Sequence, residues 1–454
     1  MPACDRREFV KHASAAVGSA AAVAIASTPV SAADEKEKST SAGDKVVMGW
    51  IGCGGQATNL LRSFIEQPDV VVSWVCDPET ARAEAAAKIV EEKSHQRPQV
   101  VADMRRVLDD KAVTAVVVGT PDHWHAPATI LACNAGKHVY VEKPCSHNIR
   151  EGRLMVEAAR KNNRVVQVGT QSRSSPAVIE AMKLLRDGAI GEILVAKAWN
   201  SQRRANIGHG TPSEPPAGID FDLWVGPAPM VPFQANRIHY GWHWWYAFGT
   251  GDMGNDGVHD IDIARWGLGV ETHPTTVTAQ GGKFYFDDDQ QFPDTQYVVF
   301  NYPGDGKGPA GGKPGQRKQL IFEQRIWTPY RQEGYENGNA FYGTEGVLLL
   351  GKNDGWQLFG PKNKLRESRP KDGMGTPHHR DFLDCIKTGN RPHADIEIGH
   401  LSAALCHLGN IATRVERTLH FDPQAETFAG DPEANQLVGR TYREGHWAVP
   451  LGAV

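Results

Sequence analysis

The sequence predicts an α/β protein of two parts: a doubly wound parallel sheet, then a second α/β unit built on an open, largely antiparallel sheet. Two observations carry the first part. Apolar runs of strand length alternate with helical segments from residue 46 to about 170, and the first such run ends in a glycine-rich loop. A third observation carries the second part: beyond residue 171 the chain turns to Gly, Pro and aromatic residues, then to β-like runs joined by short polar breaks.

Residues 1–33 stand outside this pattern. Arg6 and Arg7 precede a mildly apolar, Ala-rich run that ends in Val30-Ser31-Ala32-Ala33, which reads as a signal peptide of the twin-arginine type. Residues 34–45 read as a polar linker. A periplasmic or otherwise exported location is expected, with the twin-arginine export machinery as a partner.

In the first part, 46–170, the strand runs are VVMGWI, VVVSWVCD, AVTAVVVGT, HVYVEKP and RVVQVGTQ. Between them NLLRSFIEQ, ARAEAAAKIVEEK, APATILACNAGK and REGRLMVEAARKNN have helical spacing or composition. Apolar strands alternating with helices of ten or more residues predict parallel pairing with helices on both faces. In the second part, 171–454, residues 199–266 hold six of the twelve tryptophans. The runs TTVTAQGGKFYF, TQYVVFNY, KQLIFEQRIW and EGVLLLG read as strands, and residues 304–318 as a mobile hairpin loop. Two helices, HRDFLDCIKTG and HLSAALCHLGNIATRVER, are expected to close the ordered chain.

Composition narrows the function. A net charge of −4 without a long basic block gives no support to a nucleic-acid or membrane-surface partner. No stretch is long and apolar enough to span a bilayer. The seven cysteines, at 4, 53, 76, 133, 145, 385 and 406, show no CxxC pair, which argues against a disulfide framework or structural zinc site and for buried free thiols.

The glycine loop is Gly52-Cys53-Gly54-Gly55-Gln56-Ala57, placed after a strand and before a helix, the context of a dinucleotide fingerprint. Gly52 permits the tight turn, Gly54 lets backbone N–H groups reach a pyrophosphate at the helix start, and Ala57 allows close helix–strand packing. Asp77 ends the next strand, where a carboxylate accepts the adenosine ribose hydroxyls and disfavours a 2′-phosphate. NAD is therefore expected over NADP.

The motifs TPDHWH (120–125), AGKHVYVEKP (135–144), GNDGVHDID (254–262), GTEGVLLL (343–350) and FLDCIKTGNRPHADIEIGH (382–400) carry a resemblance to the Gfo/Idh/MocA oxidoreductases over essentially the whole chain after the leader. The resemblance implies a Rossmann domain, then an α/β domain whose open sheet covers the nicotinamide and makes subunit contacts, hence a homo-oligomer. It implies that Lys143 orients the substrate hydroxyl and that Glu142 lies near the nicotinamide ribose. Pro144 would shape the turn through a cis bond. Thr120, Pro121 and His125 would pass beside the cofactor, with Gln171 near the nicotinamide. The family's catalytic segment reads Asp-x-Gly-x-His-x-x-Asp; here His259 and Asp262 match, but Asn255 replaces the leading aspartate. Asp252 and Asp256 both remain candidates to compensate.

Oxidising a secondary alcohol needs a base for the hydroxyl proton, and a histidine suits that role near neutrality. His259 is the expected base and Asn255 an orienting group. A helix beginning near Asn255 would place His259 in its positive first turns, lowering its pKa. The competing reading has His259 satisfied in the core by Asp262. His123, His125, His239, His243 and His259 have spacings that can ligate zinc, yet Trp124 and Pro127 explain the first pair as a packed loop, so no metal is expected. Arg173, Trp242, His243 and Asp256 are candidate substrate contacts, because indole faces stack on sugar rings. The segment 201–210 is expected to complete that wall.

The function expected is an NAD(P)-dependent oxidoreductase acting on a secondary hydroxyl of a sugar, cyclic polyol or glycoside. Because twin-arginine export carries folded proteins, its cofactor is expected to be tightly bound and recycled. The alternatives are a glycosidase or lyase that oxidises a ring transiently, a catalytically silent sugar-binding protein, and a metal-dependent hydrolase.

Overall fold

A computed structural model describes residues 45–303, 317–352, 354–370 and 376–453. The leader, all of the linker but Lys45, and the expected hairpin loop except its last two residues lie outside the described residues.

Six strands form a parallel sheet: β1 (Val46–Ile51), β2 (Val70–Cys76), β3 (Gln99–Val101), β4 (Ala115–Val118), β5 (His138–Val141) and β6 (Val166–Val168). Their order is β3-β2-β1-β4-β5-β6. Helices α1 (Gly55–Phe64), α2 (Thr80–Ser94), α3 (Arg105–Asp109), α4 (Asp122–Asn134) and α5 (Ile149–Lys161) connect them. All four residues of β4 are buried, which is why this strand reads as an unbroken apolar run. The order reverses between β2-β1 and β4-β5, so a crevice opens where β1 and β4 end, the usual ligand position in such sheets. Gly52 has φ +89°, and a Cβ on it would lie 2.7 Å from the Gly119 carbonyl oxygen; a Cβ on Gly119 would lie 2.7 Å from that of Ala57. The crevice floor tolerates no larger residue at either glycine.

The second sheet has ten strands: β7 (Ile193–Asn200), β8 (Thr276–Gly282), β9 (Thr295–Tyr302), β10 (Lys318–Arg325), β11 (Asn337–Gly343), β12 (Val347–Gly351), β13 (Gly355–Gly360), β14 (Lys364–Arg369), β15 (Leu419–Asp422) and β16 (Thr427–Phe428). The order is β14-β13-β12-β11-β7-β10-β9-β8-β15-β16, antiparallel except between β7 and β10. The accompanying helices are α6 (Pro176–Arg186), α7 (Phe221–Val225), α8 (Val258–Leu268), α9 (Thr376–Thr388), α10 (Ile396–Val415) and α11 (Pro432–Gln436). One face of the sheet packs Val298, Phe300, Phe322 and Phe341 against α6, α8 and α10 through Leu185, Ile261 and Leu408. Tyr297 and Tyr342 are exposed.

Three features differ from expectation. Strands β7, β11, β13 and β14 escape the sequence reading: β11 and β13 contain Gly, and β14 is largely charged and exposed. The two late helices do not end the ordered chain: β15 pairs with β8, and the tail to residue 453 is held by polar contacts instead of periodic apolar residues. Chain order and spatial order also part company here, since Phe382 and Leu383 of α9 pack with Trp50, Phe64 and Tyr140 under the first sheet. Finally, α8 does not begin near Asn255. A π-helical turn, Met253–Gly257, runs directly into it.

Asp262 on α8 does not serve His259. Its carboxylate accepts two hydrogen bonds from Arg173, at 2.7 and 2.8 Å, and one from Ser402 at 2.6 Å. This buried pair ties α8 to the turn that follows β6. Asp262→Ala would leave the Arg173 charge buried without its partner, and is expected to cost about 3–5 kcal/mol in denaturant unfolding. Combining Arg173→Met with Asp262→Leu should recover most of that loss, because the charge and its partner leave together.

Candidate active site

The crevice at the end of β1 and β4 widens into a cleft of about 830 Å³ that continues beneath residues 201–257 to the second sheet. At its first end, α1 starts at Gly55 without a side-chain cap, so its opening N–H groups remain available to an anion. The space where a Cβ on Gly55 would project is empty. Asp77 is fixed by two backbone donors, Cys53 N at 2.7 Å and Glu79 N at 2.8 Å. Thr120 lines the same cleft with a buried hydroxyl that has no partner among the described residues. Uncapped helix N–H groups, an open glycine cradle, a fixed carboxylate and an orphaned hydroxyl together fit a dinucleotide.

The loop after β4 and the turn after β5 are joined by His125. Its ring lies between the carbonyl oxygens of Pro144 (2.6 Å) and Thr120 (2.8 Å), and burial lowers its pKa to about 4. Neutral, the ring has one N–H and donates to one of these two carbonyl oxygens, so it is committed to the backbone. The Lys143–Pro144 bond is cis. Glu142, buried, accepts from Gln56 at 3.3 Å, and burial raises its carboxyl above the ordinary range.

At the far end, the Lys143 ammonium donates to the Asn255 carbonyl oxygen and, at 3.4 Å, to its side-chain oxygen. The Asn255 amide donates to Asp252 at 3.0 Å. Asp252 is fully engaged, accepting also from Asn200 at 2.6 Å and Arg204 at 2.9 Å. Asp256 instead lines the cleft and forms a partly buried ion pair with Lys352, accepting further bonds from Gln202 and Asn337. Burial pushes the Asp256 carboxyl up, but Lys352 and Arg204 outweigh it and hold the group well below the carboxylate range. His259 also lines the cleft, and its ring is hydrogen-bonded to no other group among the described residues. Burial, then the charges of Lys352 and Lys143, lower its pKa well below 6.5, while Asp256 opposes them. The result is a neutral imidazole facing the cleft between two ammonium groups.

The cleft therefore brings together Gly52, Gly54, Gly55, Gln56, Ala57, Asp77, Thr120, Pro121, His125, Glu142, Lys143 and Gln171 with Trp242, His243, Asn255, Asp256 and His259. Cys53 sits behind the loop, its thiol donating to the Cys76 carbonyl oxygen, and reaches the site only through its amide. Arg173 is buried in its pair with Asp262 and does not line the cleft, so it is unavailable to a substrate there. The low basicity of His259 comes first from burial, not from a helix start. His123 and His125 are bound to backbone carbonyls. His243 stacks on Trp242, ring centroids 3.6 Å apart, which fixes that indole at the cleft wall. Sequence reasoning missed Lys352, and reached Gln202 and Arg204 only as members of the segment 201–210 and Tyr240 only inside the tryptophan-rich stretch 199–266. Lys352 follows β12 in a turn with no motif to mark it.

Fold and site define a dinucleotide-binding α/β protein whose cleft is also lined by a neutral imidazole and two lysines. Profiles of one family match in two places: its NAD-binding Rossmann fold on residues 46–170, and its C-terminal alpha/beta domain on 198–302 and 364–449. The chain belongs to the Gfo/Idh/MocA oxidoreductase family. It is 39% identical over 118 residues to a levoglucosan dehydrogenase of Pseudarthrobacter phenanthrenivorans, covering 26% of this chain but only 28% of that protein. It is 26% identical over 346 residues to the scyllo-inositol 2-dehydrogenase (NAD+) of Bacillus subtilis, covering 74% of this chain and 83% of that one. A glycosyl hydrolase family 109 protein of Saccharopolyspora erythraea is 28% identical over 202 residues, 41% of this chain and 44% of that protein. The fold is that of the aldose–aldose oxidoreductase of Caulobacter crescentus, solved with glycerol: TM-score 0.62 at 19% identity, over 83% of this chain and 100% of that one.

Gly52→Ala would force a Cβ against the Gly119 carbonyl at positive φ. NAD binding, measured by calorimetry, is expected to fall at least tenfold, with the protein still folded by circular dichroism.

Proposed function

We propose that the protein is an NAD-dependent oxidoreductase that removes hydrogen from a secondary hydroxyl of a sugar or cyclic polyol. The observation that carries this reading is the neutral His259 imidazole, hydrogen-bonded to none of the described residues, at the far end of a cleft that fits a dinucleotide. The nicotinamide, when bound, supplies the hydride acceptor. His259 takes the hydroxyl proton at a ring nitrogen. Lys143, steadied by Asn255, donates to the same substrate oxygen as negative charge builds on it. Asp256, not Asn255, supplies the carboxylate near the base, and Lys352 keeps it ionised. Trp242 and Tyr240 offer apolar faces to the sugar ring, with Gln202 and Arg204 as polar contacts. Asp77 favours NAD over NADP. The exposed Tyr297 and Tyr342 on the open sheet face support association into a homo-oligomer.

His259→Ala is expected to lower kcat by about 10²–10⁴-fold while NAD affinity changes little. The base acts when neutral, so activity rises with pH through the His259 pKa. Because that pKa lies below 6.5, the acidic limb of kcat/KM should fall below pH 6.5. Lys352→Met removes a cation that favours neutral His259 and should move this limb upward.

A second reading, a glycosidase that oxidises a ring carbon to a ketone, eliminates the aglycone across the acidified neighbouring C–H, adds water to the resulting enone and then returns the hydride to the ketone, is favoured by the family 109 relative. Reaction in deuterated water separates the two. Release of the aglycone with deuterium beside the oxidised carbon would show elimination; a stable ketone product without it would show simple oxidation.

We further propose export by the twin-arginine route with the cofactor already bound, which Arg6-Arg7 and the six buried free cysteines of the described chain support. The purified protein is then expected to retain about one nucleotide per chain after extensive dialysis, read by absorbance and mass. An empty, fully folded protein would count against a carried cofactor.

A further inference from the structure

The cleft continues past Asp77. The Asp77 amide donates to the Val101 carbonyl at 3.1 Å, so Ala102, Asp103 and Met104 adjoin it, and all three line the cleft. An adenine attached to a ribose at Asp77 would project into this end. Here the first sheet does not supply the whole wall, since Trp447, from the tail after α11, lines the cleft as well. Its indole is half-buried, packed near Trp124 with ring centroids 5.7 Å apart, and the Arg105 guanidinium lies 4.4 Å over its ring. Arg105 is itself clamped by Asp103 at 2.6 and 2.9 Å.

The tail around Trp447 is anchored on both sides of the cleft. Arg440 pairs with Glu151 of α5 and donates to the His123 carbonyl oxygen of α4 at 2.7 Å. Arg443 donates to Asp222 of α7 at 2.6 Å, and its amide donates to the Pro227 carbonyl oxygen at 2.9 Å. These anchors fix the indole without help from a ligand. Fixation by its neighbours is what a preformed base-binding wall requires.

We propose that Trp447 forms an apolar wall of the adenine subsite, so that the last stretch of the chain is part of the dinucleotide site. This rests on the NAD reading above. A tail tryptophan that merely packed against α4 would have no reason to discriminate between the halves of the cofactor.

The test uses the full chain stripped of nucleotide, with NAD, AMP and nicotinamide mononucleotide titrated by calorimetry. Trp447→Leu, which keeps apolar packing but removes the aromatic ring, is expected to weaken NAD and AMP about tenfold and leave the mononucleotide unchanged. Trp447→Phe should retain most of the affinity. Thermal unfolding without nucleotide establishes that both variants fold. Unchanged NAD and AMP affinity in Trp447→Leu would overturn the proposal, as would equal weakening of all three ligands. A parent protein that binds none of them would overturn the NAD reading itself, a result distinct from either.

Discussion

Four carboxylates on one helical stretch, Asp252, Asp256, Asp260 and Asp262, lie in the interior, and an interior carboxylate is costly unless it finds partners or takes up a proton. Their partners come from separate parts of the chain. Asn200 ends β7, Arg204 and Gln202 follow it, Asn337 and Asn339 sit on β11, Lys352 follows β12, Arg173 follows β6, and Ser402 is on α10. Asp260 has only amide donors, both at 3.4 Å, and burial raises its carboxyl well above the ordinary range. The other three meet cations. Satisfying this one helix brings the second sheet, the turn after β6 and the segment 201–204 to the mouth of the first sheet, where the cleft then exists.

The electrostatics of the base follow from the same arrangement. His259 lies near cations already bound to something else: Lys352 to Asp256 and Lys143 to Asn255. Their charges act on the imidazole at a distance while its own nitrogens stay available. The loss of a carboxylate at position 255 is thereby absorbed. An amide there still receives Lys143 and still donates to Asp252, and the carboxylate that influences the base stands one residue later.

What could be read from sequence was what is local. The glycine turn, the acidic residue ending β2 and the Glu-Lys-Pro turn after β5 each lie within a few residues of the strand that positions them, and their spacing is dictated by one strand–turn–helix geometry. Lys352 could not be found in this way, because β11 and β12 carry it to the site through sheet pairing that no short motif encodes. Arg173 shows the converse: it follows the motif residue Gln171 closely, yet its side chain turns inward to Asp262. The ordered tail was missed because its anchors are individual Arg–carboxylate and Arg–carbonyl contacts, which leave no periodic trace.

The π-helical turn Met253–Gly257 has an evolutionary meaning. Such a turn is a one-residue insertion that the helix has swallowed without unwinding. Excising a residue from it would restore α-helical winding and leave the upstream residues within about 10° of their present orientation relative to α8, because five π-helical and four α-helical residues turn through nearly the same angle. Asp252 would keep its place beside Asn200 and Arg204, and α8 its register against the sheet, while the side chains inside the turn, Asn255 and Asp256 among them, would be re-aimed. A single codon gained or lost here would therefore reassign which side chains face the cleft and leave the hydrophobic core untouched.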